Sequence, residues 1–241
     1  MHFGSARGTP LCMARGAVLM EKPTSENAMT GVGIGAAIAG FKPVMTHQRL
    51  DFFLLAMDQL VNSAAKMHYM FNGELKVPVT IRLILGRGWG QGPTHSQNLQ
   101  SWFAHIPGLK VVMPSSAEDA KGLLLSSIFD PNPVLFLEHR WLHNSSSDII
   151  EGDFRIPLGQ SKKLNQGIDL TIVSMSYLTA EAIMAANYLK KYSIEKTYPN
   201  FTSALNPTYL DFEFDYFNFI EMFKHDLKND ADFGFKIIHC D

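Results

Sequence analysis

The sequence predicts an α/β fold: a parallel sheet flanked by helices, followed by an incomplete C-terminal α/β domain. Three observations carry that reading. Strand-like and helix-like segments alternate through the middle of the chain, at Pro78–Leu85, Gln97–Ile106, Leu109–Met113, Ala117–Phe129 and Pro133–Glu138. The strand segments are almost continuously apolar, which marks burial on both faces of a sheet. The links are short and carry no hairpin signal, so neighbouring strands must be joined by crossovers through helices.

Taken in order, residues 1–29 are Gly- and Met-rich without periodicity and read as loop or as an incomplete first unit. Thr30–Ala39 is a run of small apolar residues closed by Gly40. In Leu50–Met70, Phe53, Met57, Leu60, Val61, Ala64, Ala65 and Met67 recur mostly at three- and four-residue steps, while Asp58, Asn62 and Lys66 fall elsewhere; this predicts one long helix. Pro78–Leu85 is rich in β-branched residues and stops in the glycine loop 86–95. Gln97–Ile106 reads as helix and Leu109–Met113 as strand, stopped by Pro114. Ser116 is placed to cap the helix Ala117–Phe129, with Asp119 in its first turn. Asp130-Pro-Asn-Pro is a turn and Pro133–Glu138 the next strand. The polar stretch 143–168 reads as a linker. Asp169–Met175 is a fresh buried strand and Thr179–Tyr192 an amphipathic helix, so a second domain starts near Asp169. The organisation is then an atypical N-terminal segment 1–21, a first domain 22–145, a linker 146–168, the start of a second domain 169–195 and a Phe-rich tail 196–241. In that tail Phe212, Phe214 and Tyr216 alternate with acids as in a half-buried strand.

Composition removes several function classes. The 241 residues are 46% hydrophobic and 18% charged, which is ordinary globular usage. The net charge of −2, with no basic stripe, removes the electrostatic footprint of a nucleic-acid binder. Cys12 and Cys240, at opposite ends, exclude a disulfide framework and a Cys-based zinc site and fit a reducing compartment. No uncharged apolar run reaches the ~18–20 residues that span a membrane. Arg7 and Arg15, with no acid before Glu21, resemble a transit peptide faintly; an ill-defined N-terminus is the favoured reading.

Three constellations could carry chemistry. Glu26, in Pro23-Thr-Ser-Glu-Asn-Ala, precedes the small-residue helix, where the dipole and free amides favour a carboxylate whatever its role. Gly86–Gln97 follows a strand of a parallel sheet, whose carboxyl edge is where ligands bind, and His95 there can carry protons near neutral pH; a solvated loop histidine is the plain alternative. Thr46–Phe53 brings Phe52 and Phe53 to the start of the long helix, as core or as a stacking platform. Gly31-Val-Gly33-Ile-Gly35 imitates a dinucleotide fingerprint but lacks its preceding strand and full glycine spacing; small residues there let a helix pack closely. His47, His68, His105, His139 and His143 show no metal-ligand spacing.

Ser25–Ala28, Ala56–Lys66, His95-Ser-Gln97, Pro107–Pro114 and Ser116–Gly122 occur in that order. Together they resemble the β subunit of the thiamine-diphosphate-dependent 2-oxoacid dehydrogenase, the decarboxylating component of pyruvate or branched-chain type, from about Lys22 to Lys190. The resemblance implies a transketolase-type pyrimidine-binding domain and a smaller C-terminal α/β domain. It implies thiamine diphosphate shared with an α subunit, which holds the diphosphate and Mg²⁺ through a Gly-Asp-Gly motif; here Gly152-Asp153 is followed by Phe154. It implies Glu26 on the aminopyrimidine ring nitrogen, Phe52 stacked on that ring, and His95 near the thiazolium and the substrate or lipoyl group. Carbonyls of Val79, Ser127, Ile128, Asp130 and Asn132 match a potassium site of some members; a plain helix-ending turn explains them equally.

The expected partners are the α subunit, a second β subunit and a lipoyl acyltransferase core, with neither nucleic acid nor membrane. The expected compartment is the bacterial cytoplasm or the mitochondrial matrix, the cytoplasm favoured. The expected activity is oxidative decarboxylation of a 2-oxoacid with acyl transfer to lipoamide, in company with the α subunit. The alternative is an inactive or truncated homologue serving as an assembly module. A self-contained transketolase-like enzyme is disfavoured by the missing diphosphate motif. Residues 1–21 depart from the family. So do Arg87, Trp89 and Gln91 in the histidine loop, the stretch His47-Gln-Arg, and everything after Glu195.

Overall fold

The computed structural model describes residues 24–86, 90–166, 170–190 and 196–200. The atypical segment 1–21, Arg87, Trp89, both cysteines and the Phe-rich run after Asn200 lie outside the described residues.

Helix α1 (Glu26–Ile38) leads through 39–43 into β1 (Val44–His47). A helical stretch follows: α2 (Leu50–Phe53), a 3₁₀ turn at Leu54–Ala56, π turns over Gln59–Ala64, and α3 (Ala65–Met70). Next come β2 (Thr80–Leu85), α4 (Gln100–Ala104), β3 (Lys110–Val112), α5 (Ala117–Phe129) and β4 (Val134–His139). A 3₁₀ turn at Arg140–Asn144 ends this part. The four strands form one parallel sheet in the order β1-β2-β4-β3. Its longest pairing runs from Thr80 against Val134 to Leu85 against His139.

Alternation along each strand sorts side chains to two faces. On one, Met45, Ile81, Leu83, Leu85, Val111, Leu135 and Leu137 pack with Ile34 and Ala37 of α1, Phe53, Leu60 and Phe103. On the other, Val112, Val134 and Phe136 meet Leu123 and Leu124 of α5. Each fully buried Phe or Leu stabilises by about 1.5–3 kcal/mol, so the first face carries most of the apolar burial. Gly31 and Gly33 of α1 have the close packing expected of the glycine stripe, while a Cβ on Gly35 would meet nothing within 4 Å. A Cβ on Gly33 would fall on the Met45 sulfur, and one on Gly31 would lie 3.2 Å from Gln59 Oε1. Ser116 caps α5 as predicted, its Oγ accepting from the Asp119 amide at 3.1 Å.

Three expectations need correction. The predicted helix Leu50–Met70 is helical throughout most of its length but is not one α-helix, because 3₁₀ and π turns interrupt it. The predicted strand Asp169–Met175 shrinks to β6 (Leu170–Thr171) before α6 (Tyr177–Lys190). The stretch read as linker contains β5 (Lys162–Asn165), which pairs antiparallel with β7 (Lys196–Asn200), and β7 pairs parallel with β6. No local pattern signals that pairing, since the partners lie far apart in sequence.

Candidate functional site

In a parallel sheet, the loops after the strands gather at one rim. β1 ends at His47, just before α2, and β2 ends at Leu85, just before the loop carrying His95. α1 runs back alongside β1, so its first turn, with Glu26, lies at that same carboxyl rim. Glu26 is half-buried, and α1 packs against α2 and the 3₁₀ turn after it.

The two adjacent phenylalanines divide the open question between them. Phe53 is fully buried and contacts His47 and Phe103. Phe52 stays 42% exposed. Its ring meets His95 edge to face, with centroids 5.2 Å apart at an interplanar angle of 85°. Thus the helix start and the glycine loop, separate in sequence, bring a free aromatic face and an imidazole together. Thr94 Oγ1 sits 3.1 Å from His95 Nδ1, which leaves Nε2 as the nitrogen for exchange with a ligand.

Two charged residues beside Phe52 hold this arrangement. Arg49 Nη1 donates to the His95 carbonyl at 3.2 Å, and Nη2 donates to Gln91 Oε1. Asp51 Oδ1 accepts from the Gln97 amide at 3.1 Å. Asp51 is buried, and its Oδ2 has no partner among the described residues. Sequence reasoning marked the stretch 46–53 for its aromatics but missed both roles. The one available signal was two charges flanking an apolar helix start.

A second polar cluster lies under the sheet's other face. Arg82 Nε and Nη2 both approach Glu138 Oε1 at 2.6 Å, and Glu138 Oε2 lies 3.6 Å from His143 Nε2. Arg140 Nη1 is 3.2 Å from His143 Nδ1. Among the described residues no group of three or more His, Cys, Asp or Glu is arranged to hold a metal. No helix among them is long and apolar enough to cross a membrane.

The five positions matched to potassium come together at the opposite, amino rim. Val79 O accepts from the Val134 amide at 2.9 Å, and Val77 N donates to Pro131 O at 3.2 Å, which seats the start of β2 against the turn after α5. Ser127 O accepts from the Asp130 amide at 3.3 Å, and Asp130 Oδ1 accepts from Asn132 N and Nδ2. Lys110 Nζ pairs with Asp130 Oδ2 at 2.5 Å.

Comparison with known proteins accords with this fold. The family described as transketolase, pyrimidine binding domain, matches residues 17–144. The chain is 40% identical over 189 residues to the pyruvate dehydrogenase E1 component subunit beta-1, mitochondrial, of Oryza sativa, covering 77% of this chain and 50% of that protein. It is 42% identical over 177 residues to the acetoin:2,6-dichlorophenolindophenol oxidoreductase subunit beta of Cupriavidus necator, covering 73% and 52% respectively. The chain therefore spans about half the length of these relatives. Among solved structures, a split-gene transketolase described as an inactive β4 tetramer superposes with a TM-score of 0.61 at 22% identity, over 74% of this chain and 55% of that one. That likeness is one of fold. The parallel sheet thus lies within the matched stretch, and the chain belongs to the transketolase pyrimidine-binding domain family, with E1 β subunits among its relatives.

Proposed function

We propose that this chain is the β-type subunit of a thiamine-diphosphate-dependent 2-oxoacid dehydrogenase and supplies the aminopyrimidine side of the cofactor site. The observation that carries the reading is the exposed face of Phe52, set against His95 at the sheet rim that also receives Glu26. The donor set fits the group: a half-buried carboxylate suits a ring nitrogen, and an exposed aromatic suits stacking on a flat heterocycle. Glu26 would hold the aminopyrimidine and Phe52 would stack on it. Bound there, thiamine diphosphate supplies the carbon nucleophile and electron sink that decarboxylation of a 2-oxoacid requires.

The remaining work falls to the protein. Glu26 would meet the ring nitrogen with its half-buried carboxyl and orient the ring. His95 binds or moves a proton at Nε2 while Thr94 engages Nδ1. Residues 22–145 form the pyrimidine-binding domain, and β5, β6, α6 and β7 begin a C-terminal domain after it. An α subunit holds the diphosphate and Mg²⁺, a second β subunit completes the assembly, and a lipoyl acyltransferase core receives the acyl group. Carbonyls of Val79, Ser127, Ile128, Asp130 and Asn132 would hold a potassium ion if one binds at that turn. The compartment is the bacterial cytoplasm or the mitochondrial matrix. Similarity to an acetoin oxidoreductase subunit favours one second reading, in which an α-hydroxyketone replaces the 2-oxoacid.

The test is co-expression with an α subunit, followed by thiamine-diphosphate-dependent turnover of pyruvate, a branched-chain 2-oxoacid and acetoin. Activity is expected with one of these and is expected to fall at least ~10²-fold in Glu26→Gln. Equal activity in the variant removes Glu26 from the mechanism. No activity from a folded pair favours the assembly module instead.

A further inference from the structure

The loop that presents His95 has little to hold it in place. Gly90 and Gly92 take φ values of +76° and +79°, with nothing within 4 Å of where a Cβ would stand. Glycines in that region give the chain wide conformational freedom, and each ordered residue costs about 1–2 kcal/mol of backbone entropy. Within the loop, the His95 amide donates to Gly92 O at 3.3 Å, a local turn that fixes nothing against the sheet. Among the described residues, side-chain tethers from the body to this loop come from the start of α2. Arg49 Nη1 reaches the His95 carbonyl at 3.2 Å and Nη2 reaches the Gln91 side chain. Two residues on, Asp51 takes the Gln97 amide at 3.1 Å. Next to Asp51 stands Phe52, the ring His95 packs against.

We propose that Arg49 is a positioning residue for His95: its guanidinium clamps the loop at Gln91 and at the His95 carbonyl, and so holds the imidazole against Phe52. The chemistry suits arginine. A planar fork offers two donors at fixed spacing, so one side chain can pin two points of a loop at once, whereas an ammonium offers a rotating point charge. The backbone of Arg49 is itself anchored, since its carbonyl accepts from the Phe53 amide at 3.4 Å. The clamp and the stacking ring therefore move as one body. The clamp stands on geometry alone, while its catalytic consequence rests on the function proposed above.

The test is NMR of the full chain with labelled histidine. His95 ring signals are identified by their loss in His95→Asn, and the Phe52 contribution by the change in Phe52→Leu. Arg49→Met is expected to move the His95 signals to the positions seen in Phe52→Leu. Gln91→Ala, at an exposed site, is expected to move them part of the way, and Arg49→Lys is not expected to restore them. Should Arg49→Met fail to fold, Gln91→Ala and Arg49→Lys carry the same decision. Unmoved signals in the folded variants overturn the clamp. In the holoenzyme the same Arg49 variants are expected to lower kcat about 10²-fold at unchanged KM for the cofactor, the cost of an ångström-scale misplacement. Displaced signals with kcat unchanged would overturn the proposed role of His95 and leave the clamp standing.

Discussion

Arg82 on β2 and Glu138 on β4 meet on one carboxylate oxygen, with Nε and Nη2 each 2.6 Å from Oε1. Glu138 is buried, and His143 Nε2 lies 3.6 Å from its second oxygen. Removing the guanidinium leaves a buried charge without its main partner, which typically costs about 3–5 kcal/mol. Arg82→Met is expected to lower the urea midpoint accordingly. The double variant Arg82→Met, Glu138→Leu is expected to recover most of the loss, because an apolar pair of similar volume needs no compensation. A double variant no better than the single one would contradict this.

Glycine positions distinguish two kinds of crowding. Gly108 has φ +93°, and a Cβ there would strike the backbone carbonyl of Ala65, which has no freedom to yield. Gly108→Ala is expected to cost about 2–5 kcal/mol, combining overpacking with left-handed strain. The three atoms nearest a Cβ on Gly33 all belong to the flexible Met45 side chain, and α-helical Ala gains about 1 kcal/mol over Gly, so Gly33→Ala is expected to be near neutral. Thermal melts of the two variants check the contrast.

Tyr177, at the start of α6, stacks on His139 with centroids 5.0 Å apart at 14°, and Trp141 lies 6.4 Å away. Burial, aided by the nearby Glu181 carboxylate, raises its hydroxyl pKa above the ordinary tyrosine value of about 10. The folded chain therefore keeps this proton at pH values where the unfolded chain has lost it. The resulting stabilisation is complete below the ordinary tyrosine pKa and is lost as pH rises past it toward the folded value. Ultraviolet titration against Tyr177→Phe is expected to show one late-ionising tyrosine, moved partly back in Glu181→Gln.

If the carbonyls of Val79, Ser127, Ile128, Asp130 and Asn132 hold potassium, folding must be linked to that ion. Potassium chloride is expected to raise the melting temperature above equal sodium chloride, with about 2.7 kcal/mol gained at a hundredfold excess over Kd. Asp130→Asn, which disturbs the turn through its bonds to Asn132 and Lys110, is expected to weaken the difference. Identical melts in the two salts would dismiss the site.

Much of the fold was legible where pattern and physics coincide. β2 and β4 are apolar runs bounded by turn residues, and α5 announces itself through Ser116 and Asp119. The stretch 50–70 was legible as helical but not as interrupted, because three- and four-residue spacing does not separate α from π turns. At the rim, loop positions and family resemblance pointed to Glu26, Phe52 and His95. Which of Phe52 and Phe53 stays open depends on how α2 is rotated against β2, which two adjacent identical residues cannot report. Arg49 and Asp51 escaped notice because their partners lie 42 and 46 residues away, beyond any local periodicity.

The link 39–43 enters β1 from the rim opposite Glu26, Phe52 and His95. Phe41 and Lys42 are exposed there, and Gly40 has empty space around it. Lengthening or shortening this connection is expected to act on the amino rim, where Pro43 O accepts from the Thr80 amide at 3.0 Å, and to leave the contact of Phe52 with His95 in place.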